Sequence, residues 1–453
     1  MTASLRQLVA PAYLFLCLVL GGGAEGIWRN LILQLIALTI IAWAALERPI
    51  EPLPKPARQL GTLILLAVLL VILQLVPLPP AAWASLPGRN WLIGGYELLG
   101  QQPPWLPISL TPYDTLSMLP WLLPPLALLA AMVRLKAYHP SWMVFAMLAG
   151  MTAGVLLGAL QVSTGPEGQW YLYRIANFGS ATGFFANKNH MATLLLVSIP
   201  FLAALMARAR GGAVKPHRYY AAVAVAGGVL VLILVGLVLN RSLAGWGLAL
   251  PVLIVSGLIM TKGRGVAARI ALGASAILAV AAIMVPFVES VMERVASRAE
   301  VSVETRSEIF ATSAEAVTTF APIGSGVGSF VQVYRLFEDP ALVTRNYVNH
   351  AHNDYLELLV ETGLPGLLLM LLFLLWWAKV AVDQWRGAAD AYARAASIAS
   401  ATILAHSLVD YPLRTAALAA LFAVTLALMV QPRATAGTAR KSNVRDVRHI
   451  EIA

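Results

Sequence analysis

The chain has 453 residues, of which 59% are hydrophobic and 12% charged, with a mean hydropathy of +0.75 and a formal charge of +10. A soluble domain carries roughly 25% charged residues, so this composition excludes a string of soluble domains, and it excludes a disordered chain as well. The apolar runs approach the ~20 residues that a spanning helix needs and are continuous rather than alternating, which predicts an all-α polytopic membrane protein and excludes a β-barrel.

About twelve spans are predicted in chain order, near residues 8–22, 27–46, 60–78, 116–133, 141–162, 188–207, 218–239, 243–261, 269–288, 355–378, 391–409 and 413–430. The first reads as a retained span rather than a cleaved leader, because Arg6 precedes an apolar stretch without a small-residue cleavage site. Cys17 lies inside it and is the only cysteine, so an intrachain disulfide is excluded. The membrane domain is expected over 1–430, interrupted by a long polar loop at 289–354 and followed by a tail at 431–453. Pro79–Thr115 is a second large connection, rich in Pro and Trp, with room for a re-entrant piece. No internal repeat is visible, which disfavours a transporter built from two related halves.

Charge sets the orientation. With the N-terminus inside and one crossing per span, the inside segments hold 21 of the 32 Lys and Arg but six of the 22 acidic residues. Every short loop agrees with the positive-inside rule. The net charge is therefore the mark of inside loops, and a nucleic-acid partner is not expected. Both termini and the tail are placed in the cytoplasm.

The chemistry-bearing clusters all fall on the opposite, outer side. Phe184–His190 is a polar knot at the outer end of a span, carrying Asn187 and His190. Arg241, in Asn240-Arg241-Ser242, lies at or just below the outer interface. A cation at such depth serves a site or snorkels to the headgroups. In the long loop, Thr305-Arg306-Ser307-Glu308 fits a capping box. It puts Arg306 in the first turn of a helix, where it either pairs with Glu304 or Glu308 or helps a helix N-terminus to hold an anion. Gly324, Gly326 and Gly328 alternate in a turn whose amides could approach a ligand or simply pack; no strand–turn–helix setting supports a dinucleotide. Asn349–Tyr355 carries His350, His352, Asn353 and Asp354, with Asp354 and Glu357 reading as a cap and its partner. A His there can act as a base near neutral pH. Two His are too few to specify a metal site, and no metal is expected. His406, Asp410, Tyr411 and Arg414 complete the outer set.

Three of these segments resemble a family. His352-Asn353, nine residues, then Gly363-Leu364-Pro365-Gly366 is similar to the H-[NSQ]-x9-G-x-x-[GTY] signature of the O-antigen ligase and polymerase superfamily. Phe185–His190 resembles its FANxNH segment, and Pro322–Phe330 its P-x-G-x-G-x-G-x-F stretch. The likeness covers roughly residues 170–415. The resemblance implies a GT-C-like glycosyltransferase of the bacterial inner membrane with a periplasmic active site. It implies a glycan on undecaprenyl pyrophosphate as donor, a lipid or glycan as acceptor, and no cofactor. On the same carry-over His352 takes or orients the acceptor proton and Arg241 and Arg306 hold the pyrophosphate. Asn187, His190, Asn353 and Asp410 line the substrate. A ligase, which moves a finished polymer, and a polymerase, which extends lipid-linked repeats, share these residues. A flippase would instead place its charges near the membrane midplane, and a purely structural partner would not need Arg306 or His352.

Overall fold

The computed structural model describes residues 3–24, 27–48, 51–211, 216–260, 306–343, 348–386 and 390–431. Three long helices open the chain: α1 (Ala3–Leu20), α2 (Ile27–Leu46) and α3 (Lys55–Leu73). A compact elbow follows. Its two-residue strands β1 (Pro77–Leu78) and β2 (Leu106–Pro107) pair antiparallel and enclose α4 (Pro80–Ala84) and α5 (Asn90–Leu98). The next pass is broken into α6 (Pro112–Met118), a 3-10 turn at Leu119–Leu122, α7 (Leu123–Leu129) and a π turn at Ala130–Arg134. Pro112, Pro120, Pro124 and Pro125 explain the breaks, since each removes a backbone donor and crowds the preceding turn. Then come α8 (Pro140–Thr164), α9 (Lys188–Gly211), α10 (Pro216–Asn240) and α11 (Leu243–Ile259). After α12 (306–320) and α13 (Phe330–Tyr334), the chain ends in α14 (Asp354–Arg386), α15 (Ala391–His406) and α16 (Ala416–Met429).

Every predicted span coincides with a helix or with the broken pass, except 269–288, which lies outside the described residues along with Thr305 and the tail beyond Gln431. Among the described residues, seven helical stretches are long and apolar enough to cross a membrane, and three shorter apolar helices accompany them. The protein is an all-α membrane protein. The connection at Pro79–Thr115 forms the elbow of short helices and a strand pair.

Helix α9 is the centre of the bundle, packed by α10, α11 and α15. Of its buried polar side chains, Asn189, Thr193 and Ser198 find hydrogen-bond partners within the protein, whereas both ring nitrogens of His190 are buried without one among the described residues. Helix α16 presents Ala416, Ala417, Ala420, Ala423 and Ala427 to its neighbours α1, α7 and α15, and small residues let backbones approach closely.

The helix ends sort into two groups. At one end Arg6 pairs with Glu47 at 2.5 Å, Arg134 donates to the carbonyls of Ala44 and Glu47, and Lys136 bonds Gln431. At the same end Arg208 pairs with Asp390 at 2.6 Å. At the other end the last residues of α1, α3, α8, α10 and α15 meet the first residues of α9, α11, α14 and α16. The site lies at this second end.

The glycine-rich turn is docked on α14. Ser325 N donates to Val360 O, Gly326 N to Glu361 O, and Gly328 N to the Glu361 carboxylate. Gly363 interrupts α14 at φ 58°, ψ −149°, which lets Leu364 N reach Pro322 O at 2.8 Å. A Cβ at Gly363 would stand 2.2 Å from that same oxygen. The glycines thus serve close packing of two segments, and the amides of Ser325, Gly326, Val327 and Gly328 are spent within the protein.

Candidate active site

The site is built on the N-terminal ends of α9 and α14 and on the turn between α15 and α16. Asn187 starts α9: its Oδ1 accepts the amide of Asn189, and its Nδ2 donates to both carboxylate oxygens of Asp410 at 3.2 and 3.3 Å. Asp410 has no exposed surface and also accepts its neighbour's amide, Tyr411 N, at 3.0 Å. His352 Nδ1 stands 3.4 Å from Asp410 Oδ1, an ion-pair distance just outside hydrogen-bond alignment. Burial alone would raise the Asp410 carboxyl, but His352, His190 and His406 outweigh it and hold the group well below the usual carboxylate range. Tyr411 lies among the imidazoles. Its ring centroid is 4.1 Å from that of His350, 5.1 Å from His352 and 5.0 Å from His190. Burial, then the Asp410 charge, pushes its phenol up to about 12.

His190 is 2% exposed, held edge-on between Phe185 and Tyr411. His406 Nδ1 shares a 2.7 Å hydrogen bond with Thr193 Oγ1. Asn353 Oδ1 accepts the amides of Tyr355 and Leu356, so Asn353, not Asp354, caps α14. Asp354 and Glu357 instead turn to Arg414.

That arrangement is the second part of the site. Arg414 reaches Glu357 at 3.1 Å, Glu361 at 3.1 Å and Asp354 at 3.6 Å. Glu357 also bonds His350 Nδ1 at 2.9 Å and the amide of Ala351. Burial works against the Arg414 charge, and the three carboxylates overcome it and raise its pKa above the ordinary arginine value. The 350–352 segment is thereby fastened from below, with its bond to Glu357 on one side of His352 and the start of α14 on the other.

The third part is cationic. Arg241 follows α10 at φ +57°, exposed, with its carbonyl accepting Lys188 Nζ at 3.1 Å. Lys188 stands within electrostatic range of both Arg241 and Arg306, and Arg306 within range of His406. Three cations from α9, the end of α10 and the first described turn of α12 thus gather beside the histidines. Like charges repel, so such a group is suited to a ligand with more than one negative charge.

The structure brings Asn187, His190, His352 and Asp410 into one cluster and sets Arg241 and Arg306 around Lys188. Arg414 and Lys188 are named within the outer polar sets of the sequence, but the ion cluster around Arg414 and the reach of Lys188 to Arg241 are what the structure adds. Asp354, Glu357 and Glu361 recur at helical spacing on one face of an apolar span, and that spacing was the available signal, because such carboxylates require a counter-charge. Among the described residues no set of side chains is arranged to hold a metal ion.

Comparison with protein families gives a match to the family described as O-antigen ligase over residues 228–371. The match supports the resemblance to the O-antigen ligase superfamily over that part of the chain. The matched region carries Arg241, Arg306, the glycine-rich turn and His352, whereas Asn187, Lys188, Asp410 and Arg414 lie outside it. A search of curated proteins gives no match.

Proposed function

We propose that the protein is an inverting glycosyltransferase that moves a glycan from undecaprenyl pyrophosphate to an acceptor hydroxyl at the periplasmic face of the bacterial inner membrane. The observation that carries the reading is the juxtaposition of a histidine–carboxylate pair, His352 and Asp410, with the cations Lys188, Arg241 and Arg306 at one end of the bundle.

The chemistry follows from the placement. His352 turns Nδ1 toward Asp410, whose carboxyl is held below the usual carboxylate range, and this favours the tautomer with a basic Nε2. Nε2 takes the acceptor hydroxyl proton as the oxygen attacks the anomeric carbon. The carbon–oxygen bond to phosphate breaks, and the pyrophosphate leaves with the bonding pair. Its developing charge falls to Arg241, Arg306 and Lys188, which need no reorganisation at that moment. A single displacement inverts the anomeric centre. Asn187 holds the second side of Asp410.

A ligase is the first reading because the matched family carries that description; a polymerase uses the same groups. The test is the surface-glycan profile of a deletion strain complemented with wild type, His352→Ala or Arg306→Ala. With both variants inserted at wild-type level, transfer is expected to fall by roughly 10²-fold or more. Long polymer retained on the lipid carrier identifies a ligase, and transfer confined to single repeats identifies a polymerase. Full rescue by either variant overturns the catalytic assignment.

A further inference from the structure

We infer that the elbow at 79–111 is seated in the headgroup–acyl boundary of the membrane, on the leaflet at the site end. The elbow follows β1, separated by five residues from the end of α3, and finishes where α6 begins, and β1–β2 pairing holds its two ends close together.

Its composition is the first observation. Across these 33 residues the only charged side chains are Arg89 and Glu97. A water-facing segment of that length would carry about eight at the usual quarter. Arg89 is moreover turned inward, 1% exposed, with its guanidinium between the rings of Trp83 and Phe320 and a 2.6 Å hydrogen bond to Ile108 O.

The outward side is the second. Trp91 is 53% exposed, Leu98 90%, Leu99 71% and Trp105 64%. On the preceding helix α3, Leu69 and Leu73 are exposed as well. Exposed Trp and Leu side chains that follow the end of an apolar, mostly exposed helix fit the membrane interface, where an apolar body and a polar tip are both satisfied.

The inward side gives the seating a consequence. Gly88 lies against Phe320, the last residue of α12, so closely that a Cβ there would stand 2.4 Å from the ring. Leu110 N, at the end of the elbow, donates to Ser325 O at 2.8 Å, and Thr115 Oγ1, on the adjoining α6, to Val327 O at 2.6 Å. The elbow therefore fixes the height of α12 and of the glycine-rich turn relative to the lipid surface. It does not depend on the transfer chemistry.

The test uses the full chain in phosphatidylglycerol/phosphatidylethanolamine nanodiscs. Cys17 is buried, so Leu98→Cys supplies one reactive thiol for a nitroxide. Accessibility to oxygen is expected to exceed accessibility to a nickel chelate by several-fold. Higher accessibility to the chelate would place the elbow in water and overturn the inference. Occlusion from both reagents, or cross-linking of Leu98→Cys between copies, would assign the surface to a protein contact and equally overturn it. Should Leu98→Cys fail to insert, bromolipid quenching of tryptophan emission replaces it. Trp91→Phe/Trp105→Phe is expected to lose a quenched fraction, and an unchanged quenched fraction rejects the seating.

Discussion

Asp410 has no exposed surface, and its charge survives because three imidazoles and the Asn187 amide face it. Its folded pKa lies below the ordinary 3.8. A depressed carboxylate stabilises the fold fully above its unfolded pKa, and that contribution is lost as pH falls toward the folded value. Asp410→Asn is therefore expected to melt below wild type near neutrality, with the gap closing as pH falls beneath about 4. Glycan transfer by the same variant should drop roughly 10²-fold, since Asn no longer sets the His352 tautomer. A melting gap that stays constant from neutral to acid, or undiminished transfer, would remove Asp410 from this role. His352 and Arg241 share a further trait that motifs do not encode: φ of +50° and +57° in residues with a Cβ. Such backbone costs of order 1–3 kcal/mol and gathers at functional sites. His352 and Asn187 are legible in the sequence through motif resemblance, and Asp410 through its place in a polar set at the outer end of a span. Lys188 stands among them in the chain, but its reach to the Arg241 carbonyl depends on how α9 meets α10.

The elements are tied by a half-buried cation set against buried carboxylates. Arg414, between α15 and α16, is the counter-charge for three carboxylates on α14, and it holds the helix that presents His352. Removing one partner of a buried ion cluster costs about 3–5 kcal/mol, mostly through the charges left behind. Arg414→Met should destabilise the detergent-solubilised protein by about that amount in thermal or denaturant unfolding. Adding Glu361→Gln to that variant should recover part of the loss, whereas Glu361→Gln alone should cost stability, because contacting charges do not act additively. Strictly additive effects would show that the pair is not coupled. The helices themselves were legible from apolar run length. Their depth in the bundle was not, because α9 and α10 look alike as runs. Three-dimensional packing separates them: α9 carries Asn189, His190 and Thr193 and is enclosed, while the more apolar α10 turns most of its surface outward. The broken pass between Pro112 and Arg134 was likewise legible as a span but not as four pieces, although Pro120 and Pro124 mark two of its three interruptions.

At the scale of the molecule, two ends differ in kind. One gathers Arg6, Arg134, Lys136 and Arg208 and contains none of the candidate catalytic groups; the other gathers the histidines, Asp410, Arg414 and the elbow. Arg6, Arg134, Lys136 and Arg208 fall at the first end, in line with the alternation that Lys and Arg placement predicts, whereas Arg241 and Arg414, in the α10–α11 and α15–α16 connections, stand at the site end. Lys and Arg near span ends are retained on the cytoplasmic side, which would put the site in the periplasm. Reporter fusions decide this directly. An alkaline phosphatase joined after Gln101, in the elbow, is expected to be active, because that enzyme needs an oxidising compartment for its disulfides. The same enzyme joined after Arg210, at the basic end of α9, is expected to be inactive. A cytoplasm-dependent reporter at the same two points should give the reverse pattern. If Arg210 fusions are the active ones, the orientation inverts, and a periplasmic donor becomes untenable even with His352 and Asp410 intact. If both fusions are active, α9 and the elbow leave the membrane on one side, and the one-crossing-per-span topology fails between them.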